Sequence, residues 1–215
     1  MIELLPLLLQ GTWVTVKVTV FGSLLAIACA LIAALARLSP LAPLRWLAVI
    51  YVEVFRGSSL LVQLFWLYFV LPLPPFNVEM SAFAVAVVGL GLNIGAYGAE
   101  VLRGAIRSVH RGQHEACHAL NMTPLTRMRR IILPQAARTA IPPLSNTLVS
   151  LLKDTSLTSI ILVVELTQTA RFAAAPTFQY MPMFALAALY YWIICTILSV
   201  LQDRAEERFS RYVAA

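Results

Sequence analysis

Charged residues are scarce in this sequence. They make up 12% of its 215 residues, and 60% of the residues are hydrophobic, whereas an ordinary soluble domain has about 25% charged and roughly 45–50% apolar residues. A helix of about 20 apolar residues crosses the roughly 30 Å of hydrocarbon in a membrane and satisfies its own backbone hydrogen bonds. The composition therefore excludes an ordinary soluble domain. It predicts an all-α, polytopic membrane protein with no room for a separate soluble domain.

Lysine and cysteine are rarer still, and their positions exclude two kinds of site. The only lysines are Lys17 and Lys153, and neither follows a glycine, so the sequence has no phosphate-binding loop of the form G-x-x-x-x-G-K-[ST]. The cysteines Cys29, Cys117 and Cys195 are far apart and do not have the spacing of zinc ligands. We expect this chain to have no ATPase activity, no metal site and no bound cofactor.

Histidine is confined to one short segment, residues 110–118. The stretch FRGSSL, residues 55–60, offers a serine inside an apolar run, but a serine nucleophile needs a base within hydrogen-bonding reach. The histidine segment lies in a polar loop, away from that run. This arrangement weighs against an enzyme that works inside the membrane, and no catalytic residue is predicted.

Five apolar runs are predicted to be membrane spans. Their approximate limits are 12–36, 46–71, 81–102, 141–166 and 183–201, with a polar loop at about 103–138. Residues 1–215 are therefore predicted to form a single transmembrane domain. The first residues, MIELLPLLLQG, lack the positive charge and the cleavage site of a signal peptide, so we expect them to be retained.

The arginines are distributed unevenly among the connections between these runs. Short loops rich in Lys and Arg stay in the cytoplasm. One side of the membrane receives Arg37 and Arg45 in the first loop, Arg103, Arg107, Arg111, Arg127, Arg129, Arg130 and Arg138 in the third, and Arg204, Arg208 and Arg211 in the tail. On the other side only Arg171 lies in a connection. The N-terminus is therefore predicted outside and the C-terminus in the cytoplasm, and the net charge of +6 reflects membrane topology rather than nucleic-acid binding.

The polar loop contains the stretch HEACHALNMTPLTRMRRIILPQA, residues 114–136. Glu115–Leu120 is rich in helix-favouring residues, and Asn121 suits the left-handed conformation that ends a helix. Thr123 followed by Pro124 is typical of an N-cap and a first helical turn. The sequence thus predicts a helix, a turn and a second helix that ends at Pro134.

The second helix of this loop is predicted to be amphipathic. Leu125, Met128 and Ile132 recur at spacings of three and four and should pack on one face. Arg127 and Arg130 lie on another face, where they would meet water, lipid headgroups or a partner. From the residues alone, a helix lying on the inner leaflet explains the pattern as well as a docking helix does.

The loop resembles the cytoplasmic signature of bacterial ABC-importer permeases, which reads Glu-Ala-Ala, then a glycine, then Ile-x-Leu-Pro. The corresponding residues here are Glu115, Ala116 and Cys117 for the triplet, Asn121 for the glycine, and Ile131, Leu133, Pro134 and Gln135 for the ending. The stretches YVEVFRGSSLLVQLFWLYFVLPL, GLGLNIGAYGAEVLRGAIRSVHRGQHEA and LLKDTSLTSIILVVELTQTA resemble the polar amino acid uptake branch of that family, the His/Glu/Gln/Arg type. The form ALNM and the run LLVQLFWLYFVLPL also resemble the subset assigned to ectoine and hydroxyectoine.

This resemblance implies a type I importer permease with five transmembrane helices and a cytoplasmic coupling helix. It implies a subunit of the bacterial inner membrane that works with a separate ATP-binding subunit carrying ATP–Mg, a second permease copy or a paralogue, and an external solute-binding protein. Membrane lipid surrounds it, and no nucleic acid is expected as a partner. The residues expected at the ATPase contact are Glu115, Ala116, Cys117, Ala119, Asn121, Arg127 and Arg130. A gradient-driven secondary transporter is the alternative, although we see no internal inverted repeat that would favour it.

Polar groups at membrane depth are candidates for the substrate path, because they are costly unless they are paired or face water. These candidates are Arg56, Gln63, Asn93, Tyr97, Lys153, Asp154, Thr155 and Glu165. A zwitterionic cargo would need a carboxylate, from Asp154 or Glu165, and a cation, from Arg56 or Lys153. Two ion pairs between residues three apart compete with such roles. One would join Glu53 to Arg56, and the other would join Glu100 to Arg103.

Overall fold

The computed structural model describes the backbone of residues 5–214 and the side chains of residues 6–207. Residues 1–4 and 215, and the side chains of Arg208 and Arg211 in the predicted cytoplasmic tail, lie outside the described part. The helices are α1 (Leu5–Leu38), α2 (Ala42–Gly57), α3 (Leu60–Phe65), α4 (Ala82–Ser108), α5 (Arg111–Ala119), α6 (Pro124–Arg127), α7 (Leu133–Asp154), α8 (Leu166–Ala174) and α9 (Tyr180–Ala214). The described residues form no strand, so the predicted all-α class is confirmed.

Three of these helices, α1, α4 and α9, are long and apolar enough to cross a membrane, and the number rises to five if each of two bent helix pairs forms one span. One pair joins α2 to α3, which continues as a π-helical turn at Trp66–Val70. The other joins α7, through a 3-10 helix at Thr155–Ile161, to α8. The structure thus has three to five candidate spans, and two of the five predicted apolar runs are not continuous helices.

The predicted second span, 46–71, is broken where α2 ends at Gly57 and α3 begins at Leu60. The two halves meet at a bend of 107°. The predicted fourth span, 141–166, starts earlier, at Leu133, and is bent by 50° before α8. Its break follows Leu162, whose φ of 66° is left-handed. Hydropathy locates apolar residues, but it does not show where a helix breaks because its backbone groups form hydrogen bonds with partners outside the helix.

Pro134 does not end the second loop helix, contrary to the prediction. A π-helical turn at Met128–Ile132 precedes it, and the amide of Leu133 donates to the carbonyl of Met128. Pro134 then lies at the start of α7, and the π-helical turn before it accommodates the missing amide hydrogen within a continuous helix. The loop helix is therefore joined directly to the helix of the fourth span.

The core is built on the close approach of α1 and α4. A Cβ added to Gly95 would lie 2.7 Å from the Cβ of Cys29 and 3.0 Å from the carbonyl oxygen of Ala26. Small residues at such crossings let two backbones approach closely. The resulting van der Waals packing stabilises the helix pair, because the hydrophobic driving force between helices is weak within a membrane. Gly104, on the same helix, has no neighbouring atom within 4 Å of such a Cβ.

We predict that Gly95→Ala destabilises the fold by about 1–3 kcal/mol, since the added methyl group has no room. Gly104→Ala is the matched control and should be neutral or slightly stabilising, because alanine favours a helix by about 1 kcal/mol over glycine. The melting temperature of each purified variant in detergent measures the difference. Equal melting temperatures would contradict the crossing described here.

Candidate functional site

A polar cavity lies beside the break between α2 and α3. It has a volume of about 490 Å³ and opens between α4, α7 and the broken span, a size suited to a small-molecule ligand. Its polar lining comprises Ser58, Ser59, Asn93, Tyr97, Asn146, Thr147, Ser150 and Asp154. Non-helical backbone at membrane depth is tolerated where it lines such a cavity. The cavity therefore accounts for the break between α2 and α3.

Two of the predicted path residues hold the broken span in place. The Nε2 atom of Gln63 donates to the carbonyl of Phe55 at 3.0 Å and to Oγ of Ser58 at 2.8 Å. The Nδ2 atom of Asn93 donates to the same Phe55 carbonyl at 3.1 Å and to Oε1 of Gln63 at 3.0 Å. These bonds satisfy a carbonyl that the end of α2 leaves without a helical partner. Asn93 also lines the cavity, whereas Gln63 is not among the lining residues.

The α7 wall of the cavity carries a polar stripe that the sequence analysis did not single out. Asn146, Ser150 and Asp154 are spaced by four residues and all line the cavity, as residues on one helix face must. Of these, only Asp154 was predicted as a path residue. The signal was present in the sequence as a polar i, i+4, i+8 pattern inside an apolar run, and it would have identified the face.

Asp154 is the only carboxylate in the described lining of this cavity. The other predicted ionisable groups lie elsewhere. Lys153 is exposed on another face of the helix, as expected of adjacent helical residues. Arg56 lies beside the cavity, with its guanidinium carbon 5.4 Å from the centre of the Tyr97 ring, a cation–π arrangement. Tyr97 itself lines the cavity and joins the arginine to it.

Glu165 and Thr155, which were also predicted for the substrate path, are not among the residues that line this cavity. Glu165 is fully buried and caps α8, accepting hydrogen bonds from the amides of Thr167 at 2.7 Å and Gln168 at 2.9 Å. The hydroxyl of Tyr191 donates to it at 2.7 Å. Thr155 is also fully buried, and its hydroxyl donates to a backbone carbonyl in the turn before it. Both side chains thus form hydrogen bonds with the backbone at nearby helix ends.

The predicted pair between Glu53 and Arg56 does not form. Both residues instead approach a cluster centred on Glu100, which accepts a hydrogen bond from Arg37 at 2.5 Å and is paired with Arg103 as predicted. Arg56 lies 3.9 Å from Glu100, and Glu53 lies 3.9 Å from Arg37. Glu53 and Arg56, both on α2, therefore have their oppositely charged neighbours on α1 and α4 and not on their own helix.

The polar loop folds as two short helices joined by a turn, as predicted. Asn121 has a left-handed φ of 51°. Thr123 is the N-cap of α6, accepting from the amide of Thr126, and Pro124 occupies the first turn. The Nη1 atom of Arg127 lies 2.7 Å from Nε2 of His118, and the Gln113 and Gln135 side chains are bonded at 3.3 Å. These contacts fix the two helices relative to each other and to α7.

The outer surface of this loop includes most of the predicted contact residues. Glu115, Ala116, Ala119, Asn121 and Arg130 are exposed, and Arg127 is partly exposed.

Two loop residues depart from the prediction. Cys117 is only 3% exposed, so its side chain packs inside the chain and not against a partner. Leu125 is 77% exposed and does not share the buried face of Ile132, because the π-helical turn between them shifts the helical register. With Leu120, which is 74% exposed, it gives the tip of the loop an apolar surface.

Comparison with known proteins gives consistent matches along the chain. Residues 22–211 match the family model described as binding-protein-dependent transport system inner membrane component. The chain is 46% identical to the L-cystine transport system permease protein TcyB of Bacillus subtilis (strain 168), over 97% of this chain and 89% of that protein. It is 36% identical to the glutamine transport system permease protein GlnP of Escherichia coli (strain K12), over 95% of this chain and 93% of that protein.

Solved structures give a similar result. A chain from the crystal structure of an amino acid ABC transporter with histidines has a TM-score of 0.91 and 33% identity, covering 97% of this chain and 96% of that one. An inward-facing MetNI methionine ABC transporter has a TM-score of 0.77 at 18% identity, over 94% of this chain and 96% of that one. At that identity the second match indicates a common fold.

Proposed function

The chain belongs to the family of binding-protein-dependent transport system inner membrane components as the permease subunit of an amino-acid ABC importer, and we propose that its polar cavity passes a polar amino acid. It is a multi-pass protein of the inner membrane with a type I importer permease fold. Cystine and glutamine are named for two of its relatives, and both are polar amino acids. The narrower ectoine or hydroxyectoine assignment stays a prediction.

The observation that carries the cargo proposal is the position of Asp154. It supplies a single carboxylate to a cavity of otherwise uncharged polar groups, and a carboxylate is the natural acceptor for an ammonium group. The hydroxyls and amides of Ser150, Asn146 and Ser59 offer neutral partners around it. Arg56, stacked on Tyr97, lies near enough to the cavity wall to attract a carboxylate. The cavity thus has one partner for each charge of a zwitterion.

Energy for transport comes, in this proposal, from a separate ATP-binding subunit that docks on the loop 111–132. The loop presents the exposed Glu115 and Ala116 together with the apolar tip of Leu120 and Leu125. Because the loop helix continues without interruption into α7, and α7 forms one wall of the cavity, a displacement of the loop would reach the cavity along one continuous helix. An external binding protein and a second permease copy or paralogue complete the assembly.

The experiment that tests this function separates ATP from the ion gradient. In cells producing the transporter, we expect uptake of labelled cystine or glutamine to fall at least about tenfold when arsenate depletes ATP while respiration maintains the gradient. A protonophore added with ATP maintained should leave most of the uptake. The reverse pattern would identify a gradient-driven transporter, and uptake of labelled ectoine in place of both amino acids would reassign the cargo.

A further inference from the structure

A second, separate cavity, of about 290 Å³, lies where the end of α1, the start of α2 and the last turns of α4 meet. Its charged lining comprises Arg37, Arg45, Glu53, Glu100, Arg103 and Arg107. Four arginines and two glutamates leave an excess of two positive charges. The cavity is also on the side of the membrane from which the basic loop 109–132 emerges, which is the predicted cytoplasmic side.

Arg37 has hydrogen-bond donors that the carboxylates of the cavity leave unused. Its side chain is only 9% exposed, and a guanidinium group carries five N–H donors. One of them, on Nη1, makes a hydrogen bond within the described residues, to Glu100. Glu53 is 3.9 Å from Nη2, beyond hydrogen-bonding distance, and the buried Nε has no hydrogen-bond partner among the described atoms. Because one of the four N–H groups on its terminal nitrogens is used within the described residues, Arg37 can still donate to an anion in the cavity.

The two arginines at the mouth of the cavity are available to that anion. Arg45 and Arg107 are exposed and have no ion pair or side-chain hydrogen bond in the part of the chain that the structure describes. Glu100, by contrast, is occupied by Arg37 and Arg103. An entering anion would therefore meet two unpaired guanidinium groups at the mouth and an under-satisfied one at the base. Guanidinium groups recognise phosphate oxygens particularly well, because their planar fork matches the spacing of those oxygens.

The surroundings of the cavity favour a phosphate that carries an acyl chain. Along α2, Arg45, Val49 and Glu53 line the cavity at spacings of four residues. The adjacent face of the same helix is apolar and exposed, with Trp46, Leu47 and Ile50 each more than half exposed. A basic pocket that opens between transmembrane helices beside an apolar face suits an anionic lipid headgroup and its chains.

We propose that this cavity binds the phosphate group of an anionic phospholipid of the cytoplasmic leaflet. The site joins the ends of α1, α2 and α4, so the bound headgroup would hold these three helices together below the cargo cavity. The proposal rests on the membrane location of the chain and does not depend on which amino acid is carried.

The test uses the purified full-length protein, with any subunits that co-purify, in nanodiscs of phosphatidylcholine containing spin-labelled phosphatidylglycerol. Each basic group at an anionic lipid is worth roughly a fivefold change in affinity. We therefore expect the double variant Arg45→Gln/Arg107→Gln to lower the relative association constant of the labelled lipid by about twenty-five-fold. Arg138→Gln is the matched control, because Arg138 is also exposed and lies on the same predicted side but outside the cavity.

Two further arms complete the test. Arg45→Lys/Arg107→Lys keeps both charges and should retain most of the binding, which separates a loss of charge from a misfolded variant. Millimolar inorganic phosphate, titrated against the labelled lipid, distinguishes the sources of the phosphate. Displacement of the lipid by phosphate at that concentration would assign the site to a soluble phosphate and overturn the lipid. Equal lipid association in the Gln double variant and the Arg138 control would overturn the site itself.

Discussion

Glu115→Lys is expected to abolish most cargo uptake while the protein still inserts in the membrane. Glu115 is the only acidic residue between positions 103 and 138, and its side chain is exposed at the surface proposed to dock on the ATPase. Reversing its charge would place a cation where the proposed contact receives a carboxylate. A like-charge contact at an interface costs several kcal/mol, so we expect uptake to fall at least about tenfold.

The measurement is uptake and ATP hydrolysis by the transporter in proteoliposomes, with co-purification of the ATPase subunit as a direct measure of docking. The hydrolysis that persists should no longer respond to cargo. Glu79→Lys is the control, because Glu79 is exposed in the connection before α4 and lies far along the chain from the loop. If Glu115→Lys transports and retains its ATPase subunit as well as Glu79→Lys does, the docking surface lies elsewhere.

Local chemistry was sufficient to predict the loop. The left-handed Asn121, the Thr123 cap and the first-turn Pro124 depend on neighbours within a few residues, and the structure has all three. The amphipathic pattern failed at Leu125 because a π-helical turn, which no short pattern signals, shifts the register between it and Ile132. Residue chemistry thus predicts helix ends better than it predicts the faces of irregular helices.

The candidate site depended on contacts that are distant in sequence and was predicted less well. The break of the second span is stabilised by Asn93, which is 38 residues from the Phe55 carbonyl it satisfies. The pairing of Glu53 with Arg56 was wrong because Arg37 and Glu100 on other helices compete for them. Glu165 was a path candidate because it is an ionisable residue next to an apolar run. In the structure its carboxylate instead accepts hydrogen bonds from backbone amides at the start of α8. Hydropathy and spacing identify buried polar groups, but they do not identify the hydrogen-bonding and ion-pairing partners of those groups.

Asp154→Asn is expected to reduce uptake at low cargo concentration about ten- to a hundredfold, because a hydrogen bond to a charged group contributes about 1.5–3 kcal/mol. The substitution keeps the size of the side chain but replaces one acceptor oxygen with a donor amide group, so it removes the negative charge with little change in packing. The described cavity lining offers no second carboxylate to replace it. The loss should therefore appear as weaker apparent affinity for cargo delivered by the binding protein, with the melting temperature nearly unchanged.

Lys153→Gln provides the matched control, since it removes a charge from the adjacent residue on a helix face that does not line the cavity. Its uptake should equal that of the unaltered transporter. Initial rates measured over a range of cargo concentrations in proteoliposomes separate apparent affinity from maximal rate. An Asp154→Asn variant that matches Lys153→Gln in both quantities would show that the cavity does not bind the ammonium group and that selectivity depends on the external binding protein. If Asp154→Asn alone loses affinity, the permease itself recognises its cargo, and the polar stripe of α7 is the surface on which it does so.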